Sequence, residues 1–292
     1  MSDGYAVTNG IRLYYVSEGE GPLVLLCHGF PEFWYSWRHQ LAPIADAGFR
    51  AVAIDMPGYG RSDKPAVTYD VNWISRCLAE LIPALGHERA VMVGHDWGGL
   101  LVWPFVLVYP ERTAGVIGLN TPDLPRFDIP PTQVFAMASD KHNYITMFQE
   151  PGVAEQAFDA DPRGFLLKFY RGWSTVHGEV FSDADVDRYL EQFSPKGAIT
   201  PPIEYYRNMD RNWELLADVD DLKIEVPCLM ITAEGDPVLH PGLAQGMETR
   251  VPDLETVMIE DCGHWTQQEK PKETTEHMLR YLDRLRTQTG PW

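Results

Sequence analysis

Cysteine is scarce in this 292-residue sequence: there are four. Cys27 and Cys228 sit in apolar runs, Cys77 in a helical pattern and Cys262 beside a glycine. No pair has metal-binding or redox spacing, which excludes a disulfide-framed scaffold and a cysteine metal centre; reduced thiols in a cytoplasmic protein are the expectation. Positive charge is also short, with 24 Lys and Arg against 42 Asp and Glu, a net charge of −18. Such a field repels nucleic acid and anionic membrane and favours a small, uncharged or amphipathic ligand. No apolar run reaches membrane-spanning length, and the opening MSDGYAVTNG lacks the basic start of a secretory signal. Internal repeats and low-complexity tails are missing too.

Hydrophobic residues make up 45% of the chain, enough for one full domain with an insertion. Short β-branched runs at 23–27, 51–54, 90–93 and 113–119 have the pattern of strands buried on both faces of a parallel sheet. Helical stretches at 35–47, 71–85 and 98–109 alternate with them, so the fold class is α/β. After Asn120 a Pro-rich stretch, TPDLPRFDIPPTQ, interrupts the alternation, and some ninety residues of aromatic and helical pattern follow. We read 123–218 as an inserted helical lid and 1–122 with 219–292 as the core. Within the lid, Ser182 and Asp185 form a capping box, and a helix opening at Thr200 carries Tyr206, Met209, Trp213 and Leu216 on one stripe. Strand pattern returns at 227–232 and 254–259, and a last amphipathic helix runs from about Lys272.

Gly94-His95-Asp96-Trp97-Gly98-Gly99 lies where a buried strand meets a helix. Small residues two positions either side of Asp96 meet the steric need of a nucleophile elbow, the strained turn that lifts one side chain above a sheet edge. A carboxylate there attacks an sp³ carbon and leaves an ester that water can cleave, whereas a serine would leave an inert ether. An Asp that merely caps the following helix fits the same string. His28-Gly29-Phe30-Pro31 follows the first buried strand, and the amides of Phe30 and Trp97 are candidates for an oxyanion hole; His28, Gly29 and Pro31 also read as plain turn formers. His264, in Cys262-Gly263-His264-Trp265 after the final strand, stands where the chain order nucleophile, acid, base places the base. Asp236, just beyond the strand at 227–232, is the acid that orients it, with Glu234 as competitor. Tyr206 and Tyr144 in the lid are candidate donors to a leaving oxygen, although tyrosines on such stripes are more often packing residues.

The stretches HGFPEFWYSWRHQ, DMPGYGRSDKP, GHDWGG, LNTPDLP, FQEPGVAE, YYRNMDRNW, TAEGD and EDCGHWTQ together resemble soluble epoxide hydrolases of the α/β-hydrolase superfamily, over essentially the whole chain. The resemblance implies a mostly parallel eight-stranded sheet flanked by helices, with a helical lid. It implies Asp96 as nucleophile, His264 as the base that activates a water, Asp236 as its partner, Phe30 and Trp97 as oxyanion hole, and Tyr144 and Tyr206 as the tyrosines that hold the epoxide oxygen. Trp97, Phe30, His95, Met147 and Trp265 are expected to contact the substrate, without metal or cofactor, in a monomer or homodimer. The bond before Pro31 is expected to be cis. Mammalian members carry an extra N-terminal phosphatase domain, and that second activity is not expected here. The main rival is a haloalkane or haloacid dehalogenase, which also uses an elbow Asp; Phe30, where many dehalogenases have Asn, and the paired tyrosines speak against it. The other is a catalytically silent lid-bearing binding protein.

Overall fold

A computed structural model describes residues 1–123, 127–137, 143–219, 221–290 and 292. The strands are β1 (Ser2–Thr8), β2 (Ile11–Glu18), β3 (Leu23–Cys27), β4 (Arg50–Ile54), β5 (Ala90–His95), β6 (Thr113–Leu119), β7 (Cys228–Ala233) and β8 (Leu254–Ile259). They form one sheet in the order β1-β2-β4-β3-β5-β6-β7-β8. The edge hairpin β1/β2 and the β2/β4 pair are antiparallel and every other pair is parallel. The eight-stranded, mostly parallel architecture is the expected one.

The central strands are apolar throughout because both faces of the sheet are covered, and their alternate residues serve different cores. Leu23, Leu25 and Cys27 belong to the cluster holding Ile74, Leu78, Leu101 and the lid aromatics, whereas Val24 and Leu26 join Trp37, Leu41, Ile44, Met278 and Leu282. Helices α1 (Leu41–Asp46), α2 (Val71–Ala84) and α3 (Trp97–Val108) follow β3, β4 and β5. Between β6 and β7 the described residues form only helices and turns: α4 (Pro131–Met137), α5 (Asn143–Gln149), α6 (Val153–Ala160), α7 (Pro162–Tyr170), α8 (Asp183–Phe193), α9 (Thr200–Arg207) and α10 (Met209–Leu215). The chain closes with α11 (Thr266–Glu269) and α12 (Pro271–Thr289). Leu124 and Pro125 of LNTPDLP, with Arg126 of the Pro-rich stretch, lie outside the described residues.

Two expected helices are shorter than their periodicity suggests. The stretch 35–47 is a 3₁₀ turn at Trp34–Trp37 followed by α1. Pro43, the third residue of α1, lies in the first helical turn, where its missing N–H costs no helical hydrogen bond. The stripe through Tyr206, Met209, Trp213 and Leu216 spans two helices that meet at Asn208, whose side-chain amide and backbone N–H both donate to Glu204 O, at 2.8 and 3.1 Å. The capping box of Ser182 and Asp185 is formed as expected. All four cysteines are buried and unpaired, and no helix among the described residues is long and apolar enough to cross a membrane.

Candidate active site

β5 ends at His95, and Asp96 turns the chain into α3 with φ of +52°. The turn is this tight because its neighbours lack side chains: a Cβ on Gly94 would lie 2.4 Å from Gly98 O, and one on Gly98 would lie 2.1 Å from Cys27 O. Asp96 stands at the N-cap position, but its carboxylate makes no capping bond. Instead Oδ1 accepts from the amide of Phe30 at 2.7 Å, while Oδ2 faces His264 Nε2 at 3.7 Å. That amide reaches it because Gly29, across the turn, has no Cβ; one there would come within 2.3 Å of Asp96. The Phe30–Pro31 bond is cis, as expected. His28 steadies the same turn, contacting Gly29 O through Nδ1 at 2.8 Å and accepting from Met56 N through Nε2 at 3.0 Å. Burial pushes its pKa down to about 4, so the ring is neutral.

His264 Nδ1 lies 2.9 Å from Asp236 Oδ2. Asp236 is held in turn by Asn120 Nδ2 at 2.8 Å and by the amides of Val238 and Leu239 at 2.8 and 3.0 Å. The competitor, Glu234, is exposed and accepts from Asp261 N. The three groups are almost dry, at 7% (Asp96), 2% (Asp236) and 3% (His264) exposed. Burial works against every charge here, yet the pairing outweighs it: Asp236 and Asp96 push the imidazole up to about 10, and His264 holds both carboxyls below their ordinary range. The resting site is therefore carboxylate, imidazolium, carboxylate.

A narrow cavity opens above these groups, walled by Phe30, Tyr144, Phe169, Tyr206 and Trp265 among others. Tyr144 on α5 and Tyr206 on α9 face each other with ring centroids 5.9 Å apart. Burial, reinforced by the negative field of Asp96, raises both phenols well above their ordinary value, so they keep their protons.

The remaining expected contacts divide. Phe30 and Trp265 line the cavity. Trp97 packs edge-on against Tyr206, with centroids 5.0 Å apart, and buttresses it. Met147 lines a neighbouring cavity that shares Tyr144, Phe169 and Trp173 with the first. His95 is a correction: it is fully buried behind His264, with Nε2 2.7 Å from His264 O and Nδ1 3.0 Å from Glu32. As the last residue of β5 it faces away from the cavity that Asp96 faces.

Residues 22–271 match the model of the α/β-hydrolase fold family. The chain is 38% identical, over 97% of its length, to pig bifunctional epoxide hydrolase 2, and spans 55% of that relative. It is 37% identical to epoxide hydrolase A of Mycobacterium tuberculosis, over 95% of this chain and 96% of that one. The crystal structure of epoxide hydrolase A from Mycobacterium thermoresistibile superposes with a TM-score of 0.89 at 35% identity, covering 97% of this chain and 98% of that one. The chain belongs to the epoxide hydrolases of the α/β-hydrolase fold family. It spans about half the length of the mammalian curated relatives it matches.

In this α/β-hydrolase, sequence reasoning gave no role to Glu32 or Asn120. Glu32 is fully buried and accepts from Gly29 N, Gln267 and Gln268 besides its contact with His95. Its place beside the Gly29-Phe30-Pro31 turn in HGFPE was the available signal, a lone acid in an aromatic run. Asn120 follows β6 with φ of +61° and ties Asp236 to Thr266. Among the described residues no cluster of three His, Cys, Asp or Glu could hold a metal ion. The fold thus brings the Asp96 carboxylate, the paired His264 imidazole and the phenols of Tyr144 and Tyr206 to one cavity.

Proposed function

We propose that this protein converts an epoxide and water to a vicinal diol through an ester on Asp96, with 123–218 serving as the lid over the cytoplasmic enzyme's active site. The observation that carries the reading is that one buried carboxylate and two proton-retaining phenols line a single cavity. Oδ1 is occupied by the Phe30 amide, so Oδ2 is the oxygen free to attack. It forms a C–O bond to one ring carbon; the ring C–O pair moves onto the epoxide oxygen, which takes a proton from Tyr206 or Tyr144. Esterification removes the charge of Asp96, the imidazolium loses one of its two anionic partners, and its proton returns to the tyrosine.

Neutral His264, still oriented by Asp236, then takes a proton from water as the oxygen adds to Cγ of Asp96. Negative charge develops on Oδ1, where the Phe30 amide already points, with the Trp97 amide as the second donor; each such donor contributes about 10²- to 10³-fold. Collapse breaks the bond from Cγ to the alkoxide oxygen, which takes the remaining proton of the added water and leaves as the diol, so the carboxylate of Asp96 paired with the imidazolium is restored. All of these groups come from one chain, so a monomer suffices.

The test is a side-by-side panel of aryl, aliphatic and fatty-acid epoxides with haloalkanes, scoring diol and halide. Diol from one or more epoxides without halide supports the reading, and halide without diol replaces it with a dehalogenase.

A further inference from the structure

Glu269, the last residue of α11, is 6% exposed, and its carboxylate is held by backbone. Oε2 accepts from the amides of Val176 and His177, both at 2.9 Å, and of Gly263 at 3.2 Å, while Oε1 accepts from Trp265 N at 3.1 Å. Two of these amides flank His264 and two belong to the lid segment 174–177. A carboxylate is the side chain suited to this place, because it offers about four lone-pair sites and no donor that would oppose the N–H groups.

The same two segments meet elsewhere. His264 N donates to Ser174 O at 2.8 Å, and Trp265 Nε1 to Phe169 O at 3.1 Å. Their approach depends on Gly263, where a Cβ would lie 2.7 Å from Val176 N and 2.8 Å from Glu269 Oε1. Trp173 and Ser174, at the start of the segment, wall the catalytic cavity.

We propose that Glu269 is a positioning residue for His264: it fastens the loop 263–265 to the lid segment 174–177, so that the base is held on the water-attack line only while that lid segment is in place. This rests on the two-step hydrolysis proposed above. Ring opening uses Asp96 and the tyrosines, whereas ester cleavage needs the imidazole aimed at a water, so loosening this junction weakens the second step selectively.

The full-length chain carrying Glu269→Gln tests it, since the amide keeps the shape but turns a donor toward the N–H groups. Rapid-mixing measurements on a turned-over epoxide are expected to show ester hydrolysis slowed about tenfold or more, a size typical of small misplacements of a catalytic group, with alkylation changed less than about twofold. The adduct on the Asp96 peptide should then accumulate in the mass spectrum during turnover. The downfield Nδ1 proton resonance of His264 should shift or broaden, a change that a general loss of stability does not cause in folded protein. Equal slowing of both steps, or an unmoved resonance in a folded variant, overturns the proposal. Should Glu269→Gln fail to fold, Glu269→Asp carries the test: the withdrawn carboxylate should tip the balance the same way by a smaller factor, and an unchanged ratio of the two rates overturns it. If the unsubstituted protein forms no adduct at all, the covalent reading fails, and the resonance still decides the role of Glu269.

Discussion

Replacing Asp96 with Asn imitates, electrostatically, the state that exists after ring opening. In the resting protein His264 Nε2 lies 3.7 Å from Asp96 Oδ2, and the imidazole titrates at about 10. At an effective dielectric constant of about 20, attraction across that gap is about 4 kcal/mol, and each 1.4 kcal/mol or so moves a pKa by about one. His264 in Asp96→Asn should therefore titrate near neutrality, at about 7. Imidazole NMR resonances followed across pH in both proteins measure this directly. Equal titration points would refute the idea that charge loss at Asp96 is what turns His264 from an imidazolium into a base. A stability signature accompanies it. His264 titrates higher folded than its ordinary value of 6.5, so its contribution is complete below about pH 6.5 and is lost as pH rises through about 10. Asp96→Asn should lose little over that window. Asp96 and Asp236, held below their ordinary 3.8, act oppositely: their contribution is present above that value and lost on acidification.

Asp96→Ala should abolish diol formation, and substantial residual turnover would rule out the covalent route. Tyr206→Phe should keep the fold and lower kcat/KM about ten- to a hundredfold, the equivalent of one hydrogen bond to a charged group at about 1.5–3 kcal/mol; an unchanged value would return Tyr206 to a packing role. His264→Gln should let an alkyl adduct build up on the peptide bearing Asp96, and an adduct on another peptide would overturn the assignment. Gly98→Ala should cost roughly 1–3 kcal/mol or more, because its Cβ would fall 2.1 Å from Cys27 O; a melting temperature equal to the parent's would contradict the packing described for the turn.

Strands were legible where burial on both faces makes every residue apolar, as in Leu23–Cys27, and Leu254–Ile259 was found to the residue. The elbow was legible because its glycines answer a steric demand that few other residues meet. What the string leaves open is settled by distant partners. Asp96 as helix cap against nucleophile, and Asp236 against Glu234, differ only in what their carboxylates touch in space. The junction of two helices at Asn208 leaves the apolar stripe unbroken, so periodicity does not register it. Glu269 has no motif at all, because its partners are backbone amides from two remote loops, and any sequence supplies amides. His95 was misplaced because adjacency to the nucleophile in sequence was taken for adjacency in the cavity.

The proposed nucleophile Asp96, the Phe30 amide, Asp236 and the proposed base His264 leave the ends of β5, β3, β7 and β8, whereas both tyrosines ride on α5 and α9, between β6 and β7. The capacity to attack and the choice of what is attacked are thus written on separable stretches of chain. Recombination needs only two crossovers, one after β6 and one before β7, to present the same carboxylate with a different leaving group. The junction at Glu269 marks the limit of that freedom, since a transplanted insertion must bring backbone amides that its carboxylate can still hold.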